Sequence, residues 1–161
     1  MEYIEKFVVP IRDIIKDGAP EDVCGIAIPP SSKSQGAPGP THALLMLRER
    51  LIQELDGRVI PFLVSRTTPL SEATKRIDNY QRQTMEIVNE PDIFPPSILV
   101  LDDVFTTGST MRGVIDRVRQ HYIHHEHSEP EIFAVVFQCT YESLTETPPD
   151  PTGFKVVQHS L

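Results

Sequence analysis

Two adjacent acids followed by hydroxyl residues around a glycine, Asp102-Asp103-Val104-Phe105-Thr106-Thr107-Gly108-Ser109-Thr110, form the stretch of this chain best suited to chemistry. The residue types divide into two jobs. N–H groups at the start of a helix lack intrahelical partners and carry partial positive charge, so the amides and hydroxyls of Thr106, Thr107, Gly108, Ser109 and Thr110 suit an anionic phosphate. Gly108 lets the backbone approach closely. Asp102 and Asp103 precede this cradle, where a second phosphate would be repelled but sugar hydroxyls can donate to carboxylates. Acids for a sugar beside amides for a phosphate fit ribose 5-phosphate.

The elements that must position these groups are visible on either side. Ile98-Leu99-Val100-Leu101, bounded by Pro95-Pro96, reads as a short buried strand of a parallel sheet. A helix beginning near Thr110 follows, with Met111, Val114, Ile115 and Val118 at helical spacing. The loop between them lies at the strand's carboxyl end, where open α/β sheets bind ligands. Elsewhere, residues 3–16 read as a helix that Pro10 restarts or kinks and Gly18 follows. Residues 23–28 read as a strand, and 44–55 as a helix with Leu44, Leu47, Leu51 and Leu55 on one face, stopped by Asp56-Gly57. Residues 59–64 form a second strand, placed at an edge or a bulge because Pro61 cannot donate to a ladder. A polar helix is expected over 71–88, strands over 132–138 and 154–158, and a loop over 147–151. This alternation predicts a three-layer α/β/α fold, with a mainly parallel sheet of about five strands, in a single domain spanning residues 1–161.

Val100 to Thr110 resembles the phosphoribosyl-pyrophosphate (PRPP) signature of type I phosphoribosyltransferases, a long and directional pattern. In that family the loop after the first strand binds pyrophosphate. Here it reads Pro29-Pro30-Ser31-Ser32-Lys33-Ser34-Gln35-Gly36, so the resemblance assigns Ser31, Ser32 and Lys33 to the pyrophosphate; as ordinary structure, Lys33 is a solvated loop lysine. Residues 65–79 match the position of the family's mobile catalytic loop. There Arg66, Thr68-Pro69 and the later Arg76-x-x-Asn79 are similar to the pattern of the competence-protein-F-like subgroup. The resemblance implies that Arg66 pairs with pyrophosphate oxygens, that Arg76 acts in catalysis and that Asn79 donates nearby, whereas in the bland reading Arg76 and Asn79 lie on a polar helix face.

The implied reaction is displacement of pyrophosphate from PRPP by a nitrogen of a small-molecule acceptor, a nucleobase, through an oxocarbenium-like state. It implies Mg2+, held largely by substrate and water, with Asp102 or Asp103 reaching it directly or through water, and one of these acids helping a proton leave the nucleophile. A homodimer is compatible with the resemblance. No nucleobase pocket is evident at residues 1–20 or 140–161, where Tyr141 and Phe154 are the aromatics that could stack on a base. Phe105 also stands where the signature carries a small or aliphatic residue. These departures sustain a second reading, a non-catalytic PRPP- or nucleotide-binding module that senses ligand or docks to a partner.

Composition sets outer bounds. A net charge of -8 over 161 residues argues against direct nucleic-acid binding, which relies on clustered Lys and Arg. No long apolar segment suggests a membrane, and Met1-Glu2-Tyr3-Ile4-Glu5-Lys6 lacks the pattern of a secretory signal, so a cytoplasmic protein is expected. Cys24 and Cys139 lie in apolar runs and read as buried thiols. His121-Tyr122-Ile123-His124-His125-Glu126-His127 invites a metal reading, against which stands a solvated connection on the face opposite the strand carboxyl ends.

Overall fold

The apolar run before the two acids becomes the middle of a sheet because its residues alternate between two helical layers. The computed structural model describes residues 2–18, 23–30, 41–67, 84–89, 91–105, 108–139 and 155–158. Its elements are α1 (Glu2–Gly18), β1 (Cys24–Ala27), α2 (Thr41–Glu54), β2 (Val59–Phe62), β3 (Val64–Arg66), β4 (Met85–Ile87), β5 (Ser97–Phe105), α3 (Ser109–His124), β6 (Glu131–Cys139) and β7 (Lys155–Gln158). Five strands form one sheet in the order β2-β1-β5-β6-β7, and every neighbouring pair is parallel.

On one face Leu99 and Leu101 of β5 pack with Cys24, Ile26 and Val135 under α1 (Phe7, Val8, Ile11, Ile15) and α2 (Leu44, Leu47, Leu51). On the other, Ile98 and Val100 pack with Ala27, Ala134 and Val136 under α3 (Met111, Val114, Ile115, Val118, Tyr122). The period-two alternation of a strand thus feeds two separate cores and gives the three layers expected. Space between the inner strands is tight. A Cβ at Gly25 would overlap the terminal methyl of Ile98 and come within 2.9 Å of the Phe62 ring, so any larger residue would force these buried neighbours to shift.

Three expectations need correction. The first helix does not restart at Pro10 and does not end before Gly18, running from Glu2 to Gly18 as one element. The second strand ends at Phe62, not at residue 64: β2 is the sheet edge, as Pro61 required, and the chain then leaves the sheet. The Asn89 amide bridges the departure, its Oδ1 accepting from the Leu63 N–H at 2.7 Å and its Nδ2 donating to the Pro61 carbonyl at 2.8 Å. Beyond the break, β3 pairs antiparallel with β4 in a separate two-stranded sheet. Residues 85–87, expected at the end of a polar helix, are therefore strand. Met85 buries its side chain under α3 while Glu86 faces solvent, an alternation too short to read against its polar surroundings. The expected helix before it, from 71 to 83, lies outside the described residues, as does the expected loop at 147–151.

Candidate functional site

Strand order reverses between β1 and β5, since β2 continues on one side of β1 and β6 and β7 on the other side of β5. At such a switch point the loops leaving the two strands diverge to opposite faces and open a crevice. The register Ala27↔Val100 brings the exits of β1 and β5 side by side, so Pro29 and Pro30 emerge next to Asp102 and Asp103.

The strand carrying the acids is longer than its apolar run. β5 extends through Phe105, with Asp102 opposite Val136 and Val104 opposite Gln138 of β6. Both acids are thus strand residues. Alternation sends consecutive side chains to opposite faces, Asp102 toward the α3 layer and Asp103 toward the α1–α2 layer. Each is half-buried. The Asp103 N–H donates to Asp102 Oδ1 at 2.9 Å, which turns one carboxylate oxygen of Asp102 back onto the backbone. The two carboxylates therefore occupy different environments and are suited to different partners.

Downstream, Gly108 is the N-cap of α3 with φ 74° and ψ 2°, a left-handed conformation that glycine adopts without steric cost. The first helical bond runs from the Arg112 N–H to the Gly108 carbonyl at 2.9 Å. Glycine brings no side-chain cap of its own to this end, and no acid lies in the first turn of the helix. The partly positive N-terminus of α3 thus follows shortly after β5 with no carboxylate in its own first turn to compete for an anion. Ser109 is buried there and Thr110 is half-buried.

Asp102 and Asp103 stand near the end of β5, and Gly108, Ser109 and Thr110 open α3 just after it. Thr106, Thr107, Ser31, Ser32, Lys33, Arg76 and Asn79 lie outside the described residues. Arg66 has a position that sequence did not suggest. The residue is only 7% exposed, and its Nη1 donates to Thr84 Oγ1 at 2.8 Å beside the antiparallel β3–β4 pair, where the Thr67 N–H also donates to the Thr84 carbonyl at 2.8 Å. Burial lowers the pKa of the guanidinium from its ordinary value. Arg66 thus anchors the hairpin. Thr84 is the partner that sequence reading missed, because no local periodicity marks a pairing between residues 18 positions apart.

Cys24 is buried, and burial raises its thiol pKa, which suits packing rather than reactivity. The side chain of Cys139 lies outside the described residues. The histidine run sits at the far end of α3, opposite the crevice, as expected. Its first four residues, however, are helical rather than a solvated connection, because buried Tyr122 donates from its hydroxyl to the Pro95 carbonyl at 2.6 Å and holds the last turn against the 91–96 segment. No helix among the described residues is long and apolar enough to cross a membrane.

No family model matches the chain, and no curated protein matches it significantly. Solved structures do. The chain is similar to the Helicobacter pylori xanthine-guanine-hypoxanthine phosphoribosyltransferase, with a TM-score of 0.51 at 12% identity over 100% of this chain and 85% of that one. It is also similar to a Staphylococcus aureus hypoxanthine phosphoribosyltransferase, with a TM-score of 0.50 at 12% identity over 98% of this chain and 73% of that one. At such identity the likeness is one of architecture, and the chain has a phosphoribosyltransferase-like α/β fold.

Proposed function

We propose that this chain is a Mg2+-dependent phosphoribosyltransferase that binds PRPP and transfers its phosphoribosyl group to a nitrogenous base with release of pyrophosphate. One observation carries the reading: at the β1/β5 switch point, two half-buried acids on β5 stand shortly before a helix that begins at a glycine N-cap and has no acid in its first turn. In this reading, Thr106, Thr107, Gly108, Ser109 and Thr110 bind the 5-phosphate, and the carboxylates of Asp102 and Asp103 accept from the ribose hydroxyls. Ser31, Ser32 and Lys33 bind pyrophosphate beside them, and Arg76 stabilises its departure. A ring nitrogen of the acceptor bonds to the anomeric carbon as the bond to the pyrophosphate oxygen breaks, and one of the acids takes the nitrogen's proton.

The donor set fits magnesium. Asp102 and Asp103 offer hard oxygen ligands, and no group of three metal-ligating side chains gathers among the described residues; magnesium is commonly held by one or two carboxylates with substrate phosphates and water. The ion's contribution, when bound, is to offset charge on the departing pyrophosphate. The acceptors named for the two structural relatives make hypoxanthine, xanthine and guanine the bases to try first. The competence-protein-F-like grouping, a homodimer and a cytoplasmic location belong to the same proposal.

The position of Arg66 favours a second reading. Arg66, proposed for the pyrophosphate, spends one guanidinium N–H on Thr84 Oγ1, an arrangement that also suits a module that binds PRPP or a nucleotide without transfer. Calorimetric titration with PRPP and Mg2+, followed by pyrophosphate release across a panel of nucleobases, tests both. Binding with release for one base identifies a transferase and its acceptor. Binding without release across the panel favours the second reading, and absence of binding refutes the site.

A further inference from the structure

We infer that His121 and His125, at the end of α3 remote from the crevice, form a two-nitrogen site for a divalent ion of the nickel or copper type. The helix reaches His124, which places these two histidines one turn apart on the same side of it. Their backbones are joined by a bond from the His125 N–H to the His121 carbonyl at 3.2 Å. The turn is then closed by bonds from the Glu126 N–H to the Ile123 carbonyl at 3.0 Å and from the His127 N–H to the Tyr122 carbonyl at 2.9 Å. With Glu126 in the left-handed region at φ 58°, this is a Schellman closure, which fixes the backbone under the second imidazole.

The rings stand at a separation that suits chelation. The His121 and His125 centroids are 4.6 Å apart. A metal about 2.0–2.1 Å from each ring nitrogen lies about 3.2 Å from each ring centre, so two ligands at roughly 90° bring the centres to about 4.5 Å, and at a tetrahedral angle to about 5.2 Å. The observed ring separation is of the size that adjacent positions of a square or octahedral ion require. Phe94 braces both imidazoles, with centroids 5.5 Å from His121 and 5.3 Å from His125, so less rotamer freedom remains to be lost on binding. The His121 Nε2 is buried, and a cleft of about 360 Å³ between β4 and α3 is lined by His121 together with Glu86 and His124. Since no third metal-ligating side chain joins the pair among the described residues, water completes the coordination.

The test is thermal unfolding of the full, untagged chain with Ni2+, alongside a calorimetric count of bound ions. About 1 mM Ni2+ raises Tm by roughly 3–10 °C, reversibly with chelator, and one ion binds per chain. The shift disappears in His125→Gln and His121→Gln and persists in His124→Gln and His127→Gln. Should His121→Gln fail to fold, His125→Gln alone decides the matter. No shift in the natural sequence, a full shift in His125→Gln, or a loss in His124→Gln equal to that in His125→Gln overturns the assignment.

Discussion

The two ends of α3 have similar amounts of polar chemistry and use it in opposite ways. At its start, Gly108 caps the helix without a side chain, and Asp102 and Asp103 stand nearby on the end of β5. At its finish, backbone bonds close the last turn, the Tyr122 hydroxyl is committed to Pro95, and His121, His125 and His127 pack around Phe94. The start lies at the β1/β5 switch point, where the loops leaving two strands diverge, whereas at the finish the Tyr122 hydroxyl and the backbone bonds of the last turn hold the helix in place. Density of polar residues alone therefore does not locate the sugar-phosphate site; its place in the sheet topology does.

Variants at the two ends should consequently separate binding from stability. The largest effect is expected from Asp102→Asn combined with Asp103→Asn, which removes charged acceptors worth about 1.5–3 kcal/mol each and lowers PRPP affinity at least 100-fold by calorimetry. Tm should change little, and an unchanged affinity would refute the ribose assignment. Tyr122→Ala belongs to the other end. It empties a fully buried ring position and should lower unfolding free energy in urea by about 3–5 kcal/mol, while the molecules that remain folded bind PRPP with unaltered affinity. Gly108→Ala blurs the contrast deliberately: left-handed backbone costs about 1–2 kcal/mol with a Cβ, so both stability and affinity should fall, and a loss of stability alone would remove the loop from the phosphate site. The smallest change is a gain. Glu126→Gly relieves a left-handed residue at the closed end and should add about 0.5–1 kcal/mol to stability in the same urea assay, with no effect on ligand binding.

The same contrast explains which parts were legible in the sequence. Ile98 to Leu101 and the spacing of Met111, Val114, Ile115 and Val118 carry their periodicity locally, so strand, helix and the layers they join could be read directly. Asp56-Gly57, both at positive φ, marked the end of α2 for a local reason too. The β3–β4 hairpin could not be read this way, because three-residue strands offer little alternation and Arg66 meets Thr84 only through tertiary pairing. Nor could the last turn of α3, whose hold comes from the contact between Tyr122 and Pro95, 27 residues apart. For the crevice, residue types pointed to the acids and Gly108, but the division of Asp102 and Asp103 between two faces follows from β5 continuing past its apolar run into both acids.

The exit of the chain at Leu63 has a consequence for life at high concentration. An outermost strand displays a row of backbone donors and acceptors on which another molecule's strand can build. Here Pro61 brings no N–H to that row, and Asn89 occupies both the Pro61 carbonyl and the Leu63 N–H. One asparagine side chain thus imitates the rung that an intruding strand would form, and the all-parallel sheet ends at β2 against its own chain rather than against a neighbour's.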